Sequence, residues 1–107
     1  LMQEVRRKGE HMRKHLLALA AEFPQRRMQV RGKGMMQAID LGDGVLAKEV
    51  SARCFANGLI IGACGSGGKV LKLIPPLTIP DEDLAEGLAL LSKSVHEAAD
   101  KLEKVPA

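Results

Sequence analysis

The sequence predicts an α+β fold in which three helices pack a small antiparallel sheet of about four strands, in the order α-β-β-α-β-β-α. Apolar residues recur every three or four positions in three segments, which predicts a helix at each end of the chain and one in the middle. Short apolar runs bounded by glycine or proline lie between these segments and predict the strands. A chain of 107 residues can bury one core, so we expect a single domain over residues 1–107.

The composition argues against a membrane span and against nucleic-acid modules that stack bases. Hydrophobic residues make up 46% of the chain and charged residues 27%, which is ordinary for a globular protein. No apolar run approaches the ~20 residues that a membrane-spanning helix needs. Phe23 and Phe55 are the only aromatic residues, so few rings are available for stacking on bases. We therefore expect neither nucleic acid nor a membrane among the partners.

The spacing of histidine and cysteine does not predict a metal site. His11 and His15 are four residues apart and could share a helix face, but no third ligand accompanies them. Cys54 and Cys64 lack C-x-x-C spacing. We interpret them as the reduced thiols of a cytoplasmic protein. We expect no bound metal.

The first helix is predicted from about residue 2 to Glu22, because Pro24 disfavours helical geometry at the residue before it. Residues 1–33 carry nine Lys/Arg and three Asp/Glu. Five of these cations lie on the predicted helix outside its apolar stripe, and we interpret them as a solvated basic face: Arg6, Arg7, Lys8, Arg13 and Lys14. The helical pattern starts at Leu1 without an N-cap, so we expect the chain to be a piece of a longer protein. The apolar stripe comprises Val5, Met12, Leu16, Leu19 and Phe23.

Two strands are predicted next, over residues 28–31 and 35–41, joined by a turn at Gly32-Lys33-Gly34. A second helix follows, for which Asp43 is a candidate N-cap and Asn57-Gly58 a typical end. Its predicted buried face carries Leu46, Ala47, Val50 and Cys54.

Leu59-Ile60-Ile61 is an apolar triplet that is too short for a helix, and we predict a buried strand there. The glycine-rich segment from Gly62 to Lys69 has some likeness to a phosphate-binding P-loop. It departs from that motif because Ala63 stands at the first glycine position and Val70 where Ser or Thr should bind Mg²⁺. We interpret it as a flexible connection between two strands.

The segment from Lys69 to Ile79 contains the candidate functional residue of this sequence, Lys72. Its first half predicts a buried strand, and Pro75 and Pro76 end the strand because neither can donate a backbone N–H. Lys72 is then a cation within an apolar run, where an unpaired charge is costly. We expect it to meet an anion, either a carboxylate of the protein in an ordinary ion pair or a carboxylate of a ligand.

The last helix is predicted to start near Pro80, which suits a first turn. The acidic run at 81–83 complements the positive end of the helix dipole. The predicted buried stripe comprises Leu84, Leu88, Leu91, Val95 and Leu102.

Three segments together resemble the C-terminal small domain of class III aminotransferases, the fold-type-I enzymes that use pyridoxal phosphate. They are Val30 to Met36 (VRGKGMM), Asn57 to Ile61 (NGLII) and Val70 to Ile79 (VLKLIPPLTI), and their order and separation are also similar. Within the family, the segment with Lys72 most resembles the diaminobutyrate–2-oxoglutarate transaminases of ectoine synthesis.

The resemblance implies a parent enzyme that moves an amino group between L-glutamate or 2-oxoglutarate and a small amino acid or semialdehyde such as diaminobutyrate. It also implies that the lysine Schiff base and the phosphate cradle lie in a large domain that precedes this segment. We therefore expect the isolated chain to be inactive, with no catalytic or cofactor-binding residues and no bound pyridoxal phosphate. The implied partners are the large domain and a second subunit, and the isolated chain could self-associate.

Lys72 is the one candidate substrate-binding residue. Many members of the family carry arginine at this position, where it clamps a substrate carboxylate through two parallel hydrogen bonds. Lysine offers a point charge without the planar fork. The alternative to the enzyme-domain interpretation is a free-standing small ligand-binding or interaction module.

Overall fold

A computed structural model describes residues 1–59 and 61–103. Over these residues, the order of helices and strands confirms the predicted α+β fold. The structure also contains short 3₁₀ helices at Pro24–Arg26 and Ser66–Gly68, which were not predicted from the sequence. The elements are α1 (Met2–Ala21), β1 (Gln29–Lys33), β2 (Met36–Asp40), α2 (Gly44–Ala56), β3 (Ala63–Cys64), β4 (Val70–Leu73) and α3 (Asp81–Glu103).

The four strands form one antiparallel sheet in the order β1-β2-β4-β3. Alternate residues of β2 and β4 are buried, including Ile39, Leu71 and Leu73. The residues between them, such as Lys72, lie on the other face. The helices therefore cover one face of the sheet, and the other remains open.

The predicted helical stripes form the core. Most members of all three stripes are buried, and Val5 and Leu102 pack against the core from its margin. Asp43 caps α2 as predicted, because its carboxylate accepts hydrogen bonds from the backbone N–H groups of Val45 and Leu46 at 2.9 and 3.4 Å. The β1–β2 hairpin is also present, with a tighter turn at Gly34–Met35 and Lys33 opposite Met36.

The prediction of a strand at residues 59–61 is wrong for Leu59 and Ile61, and Ile60 lies outside the described residues. The Leu59 N–H donates to the Cys54 carbonyl at the end of α2, and the Ile61 carbonyl accepts from the Ser51 hydroxyl. Because these backbone groups are already bonded, they are not available to a strand ladder. The strand β3 forms two residues later, inside the predicted connection.

The strand predicted around Lys72 is present as β4, but the prediction that this strand is buried is wrong for the face that carries Lys72. Strand β4 is buried on one face only, since Leu71 and Leu73 are buried while the Lys72 side chain is exposed. Val70 and Ile74 share the open face with Lys72, so the run is apolar in sequence although half of it faces outward. None of the helices in the described ranges is long and apolar enough to cross a membrane.

Candidate functional site

The open face of the sheet carries a row of three residues around Lys72. Arg31 of β1 lies opposite Ala38 of β2, and Ala38 lies opposite Lys72 of β4. Neighbouring strands are about 4.8 Å apart, so the two cations flank a small alanine side chain. The row therefore leaves space between two positively charged groups.

That space is part of a cavity of about 200 Å³, which we call the Lys72 cavity. Its polar groups include Arg31 and Lys72, and its apolar wall includes Met36, Ala38 and Ile74. Both Met36 and Ile74 are exposed, with relative solvent accessibilities of 65% and 59%. A cavity of this kind suits a small molecule with an anionic group and a short hydrocarbon chain.

The two cations are not equally available. The Arg31 guanidinium donates to Gln29 Oε1 at 2.8 Å and to Asp40 Oδ2 at 3.1 Å, so part of its charge is already neutralised. Within residues 1–59 and 61–103, Lys72 forms no ion pair. An incoming carboxylate would therefore find its open partner at Lys72.

A second cavity of about 180 Å³ lies where β4 leaves the sheet. Its walls are mostly apolar and include Ile61, Leu73 and Leu88, with Lys72 and Asp83 as its charged groups. Lys72 lines both cavities, so the chain that leaves β4 forms part of the surroundings of Lys72.

Three consecutive residues of α1 contact the chain on either side of Lys72: Arg7 and Lys8 contact the part after β4, and Gly9 contacts the hairpin before it. The interpretation of Lys8 as part of a solvated basic face is wrong, because Lys8 is buried. The Arg7 guanidinium lies 3.1 Å from the Asp81 carboxylate at the start of α3. Lys8 is only 7% exposed, and its Nζ donates to the Leu77 carbonyl at 3.5 Å.

The third residue, Gly9, contacts the β1–β2 hairpin. Gln37 Nε2 donates to the Gly9 carbonyl at 2.6 Å and to the Gly34 carbonyl at 2.7 Å. A signal for the burial of Lys8 was present, since it stands three residues after Val5 and four before Met12, on the apolar stripe.

The remaining candidates do not join this site. His15 Nε2 lies 2.6 Å from Ser92 Oγ between α1 and α3, and burial lowers the pKa of its imidazole. Burial raises the pKa of the Cys54 thiol in the core, which keeps it protonated. No group of three potential metal ligands occurs in the part of the chain that the structure describes.

Comparison with known proteins gives the same family from sequence and from structure. A family model described as aminotransferase class-III matches residues 1–95. A diaminobutyrate–2-oxoglutarate transaminase of Halomonas elongata is 40% identical over 98 residues, which are 90% of this chain and 23% of that protein. One of Streptomyces anulatus is 41% identical over 92 residues, or 86% of this chain and 21% of that protein.

Solved structures show the same fold. The lysine aminotransferase of M. tuberculosis superposes with a TM-score of 0.78 at 23% identity, covering 89% of this chain and 21% of that chain. An N-acetylornithine aminotransferase of Stenotrophomonas maltophilia gives a TM-score of 0.78 at 27% identity, covering 92% and 27%. This chain therefore spans between 21% and 27% of the length of these relatives. The chain belongs to the class III aminotransferase family.

Proposed function

We propose that this chain is the C-terminal, substrate-side domain of a pyridoxal-phosphate-dependent transaminase. The proposed reaction moves an amino group between L-glutamate or 2-oxoglutarate and a small amino acid or semialdehyde such as diaminobutyrate. Support comes from the relatives named diaminobutyrate–2-oxoglutarate transaminase, which are 40% and 41% identical to this chain over 98 and 92 aligned residues. The small share of their length that it covers is consistent with a further, larger domain.

The observation that carries the proposal is Lys72 at the edge of a cavity with apolar walls, without an ion pair in the described part of the chain. We propose that its ammonium group binds a carboxylate of the substrate. An ammonium supplies one point of charge, so the carboxylate can rotate about it more freely than in an arginine fork. The apolar wall would then contact the carbon chain of the substrate.

The described residues do not fit pyridoxal phosphate. Every lysine among them except Lys8 is exposed, and Lys8 is directed at the Leu77 carbonyl. A Schiff-base site needs a lysine beside the cofactor ring and a carboxylate for the ring nitrogen, and no such pair is formed here. We propose that the rest of a longer chain binds the cofactor, and that the isolated chain neither binds it specifically nor transaminates.

We further propose that the partners of this chain are the rest of that longer protein and a second subunit. Met36, Ile74 and Leu77 are exposed around the open face and at the exit from β4, where another domain could cover them. The free thiols Cys54 and Cys64 are consistent with a cytoplasmic location.

The test uses the full-length protein that contains this chain, with Lys72→Ala and Lys72→Arg variants. Lys72→Ala should weaken binding of 2-oxoglutarate or glutamate by roughly 1.5–3 kcal/mol, the scale of a charged hydrogen bond. Lys72→Arg should retain much of the affinity, because it keeps the charge.

The matched control is Lys33→Ala, which removes a lysine from β1 that does not line the Lys72 cavity. It should leave the affinity unchanged. A large fall in melting temperature for Lys72→Ala, with unchanged affinity for the dicarboxylate, would instead make Lys72 a structural residue.

A further inference from the structure

We propose that Lys8 and Gln37 are positioning residues that fix the location of Lys72 from the side of helix α1. The inference rests on the proposed role of Lys72 in carboxylate binding. It concerns two buried polar side chains that the proposed reaction does not itself use. Lys8 is 7% exposed and Gln37 is 3% exposed, which is unusual for either residue type without a specific partner.

Gln37 connects α1 to the strand beside Lys72. Its amide group donates to the carbonyls of Gly9 and Gly34, which joins the helix, the hairpin turn and β2 at one point. In the sheet, Gln37 lies opposite Leu73, and Ala38 lies opposite Lys72. A shift of β2 relative to α1 would therefore be transmitted through the ladder to Lys72.

Lys8 acts on the other side of Lys72, where the ladder no longer holds the chain. Strand β4 ends at Leu73, and Pro75 and Pro76 have no backbone N–H to extend it. The Lys8 ammonium donates to the Leu77 carbonyl, four residues beyond the end of the strand. Helix α1 thus contacts both the strand beside Lys72 and the segment that follows β4.

These two contacts favour a positioning role over a purely stabilising one. Within residues 1–59 and 61–103, the Lys8 ammonium donates to one acceptor, the Leu77 carbonyl, and a hydrogen bond as long as 3.5 Å contributes little to stability. Its removal should therefore change stability little. Its effect should be on the geometry of the Leu77 segment, and a displacement of about 1 Å at a binding group is enough to change affinity strongly.

The test again uses the full-length protein, with Lys8→Met and Gln37→Leu variants and Lys14→Met as a control. Lys14 is an exposed lysine of the same helix, so its substitution removes the same charge without the contact. We expect Lys8→Met to raise the KM for 2-oxoglutarate about three- to tenfold, with kcat within about twofold. Its melting temperature should change by less than about 2 °C. Lys8→Arg should restore KM in part, and Lys14→Met should leave it unchanged.

The same variants in the Lys72→Ala background distinguish positioning from other effects. If Lys8 and Gln37 act through Lys72, their substitutions should raise KM by less than about twofold once Lys72 is absent. An unchanged KM for Lys8→Met in a protein whose Lys72→Ala variant binds poorly would overturn this inference and leave the proposed function standing. An unchanged KM for Lys72→Ala would overturn both. Should Gln37→Leu fail to fold, the Lys8 variants alone decide the outcome.

Discussion

Gly9 of α1 packs directly on Gly34 of the β1–β2 turn, backbone against backbone. A Cβ atom at Gly9 would lie 2.7 Å from the Gly34 carbonyl oxygen and 2.9 Å from its Cα. The close approach brings the Gly9 and Gly34 carbonyls within reach of one Gln37 amide. The packing and the hydrogen bonds therefore depend on each other.

The first prediction compares the two glycines that lie inside helices α1 and α3. Gly9→Ala should lower the free energy of unfolding, because overpacking costs typically 1–3 kcal/mol and the gain in helix propensity is only about 1 kcal/mol. Gly87→Ala should raise it by about 0.5–1 kcal/mol, since the nearest atom to its new Cβ is Leu59 Cδ1 at 3.9 Å. Urea unfolding of both variants measures the difference, and the same sign for both would contradict the packing at Gly9.

The second prediction concerns His15 and pH. Burial lowers the pKa of His15 below its ordinary value of 6.5, an effect that the nearby His11 increases and that Glu22 and the Leu88 backbone oppose. The unfolded chain therefore takes up a proton at this residue before the folded chain does. The stabilising contribution of His15 should be complete above pH 6.5 and should be lost as the pH falls through the lower folded pKa.

The measurement is chemical unfolding between pH 5 and pH 8 for the unsubstituted protein and for His15→Gln. Glutamine keeps a polar group near Ser92 Oγ but does not titrate. The free energy of unfolding of the unsubstituted protein should therefore decrease, relative to that of His15→Gln, as the pH falls. A difference that does not change with pH would show that His15 has the same proton affinity in both states.

The third prediction is that the isolated chain self-associates through its open face. Met36 and Ile74 are exposed beside the Lys72 cavity, and exposed apolar patches promote association. Sedimentation should show a mass that rises with concentration, and Ile74→Ser should reduce the rise without loss of helical signal. The control is Val45→Ser, which removes an exposed apolar residue from the first turn of α2. A strictly monomeric protein that binds no apolar dye would contradict the prediction.

The fourth prediction is that pyridoxal phosphate labels the isolated chain only at scattered surface lysines. Lysines 14, 33, 48, 69, 72, 93 and 101 are all exposed, and none lies in a site that fits the cofactor ring. Reduction with borohydride followed by peptide mapping by mass spectrometry gives the positions. A saturable adduct with one lysine per chain, at a single position, would sink the prediction.

Local patterns were sufficient to predict the helices of this fold. The stripe of Leu84, Leu88 and Leu91 and the cap at Asp43 depend on residues within one or two turns of each other, and the structure has both. The triplet at 59–61 was misassigned because the distant hydroxyl of Ser51 bonds to the Ile61 carbonyl. Apolarity alone could not distinguish a buried loop from a buried strand.

The candidate site was predictable only in part. Lys72 stood out as a charge in an apolar run. Its exposure could not be predicted, because Val70 and Ile74 on the same face are also apolar and the sequence therefore lacks the alternation of polar and apolar residues that marks a strand with one exposed face. The burial of Lys8 had a local signal, but its contact with Leu77 and that of Gln37 with Gly9 could not be predicted, because these partners are 69 and 28 residues away in sequence. Contacts of that separation are a property of the topology and leave no local pattern.

The strand order β1-β2-β4-β3 has a consequence for how the domain forms. The β1–β2 hairpin closes a two-residue turn, so it can form early from local contacts. In the part of the chain that the structure describes, strand β3 comprises Ala63–Cys64 and pairs with β4 alone, so it gains no ladder until β4 has docked on β2. Docking must close the connection from Asp40 to Val70, which costs loop entropy before any strand pairing offsets it. We expect this closure to limit the folding rate.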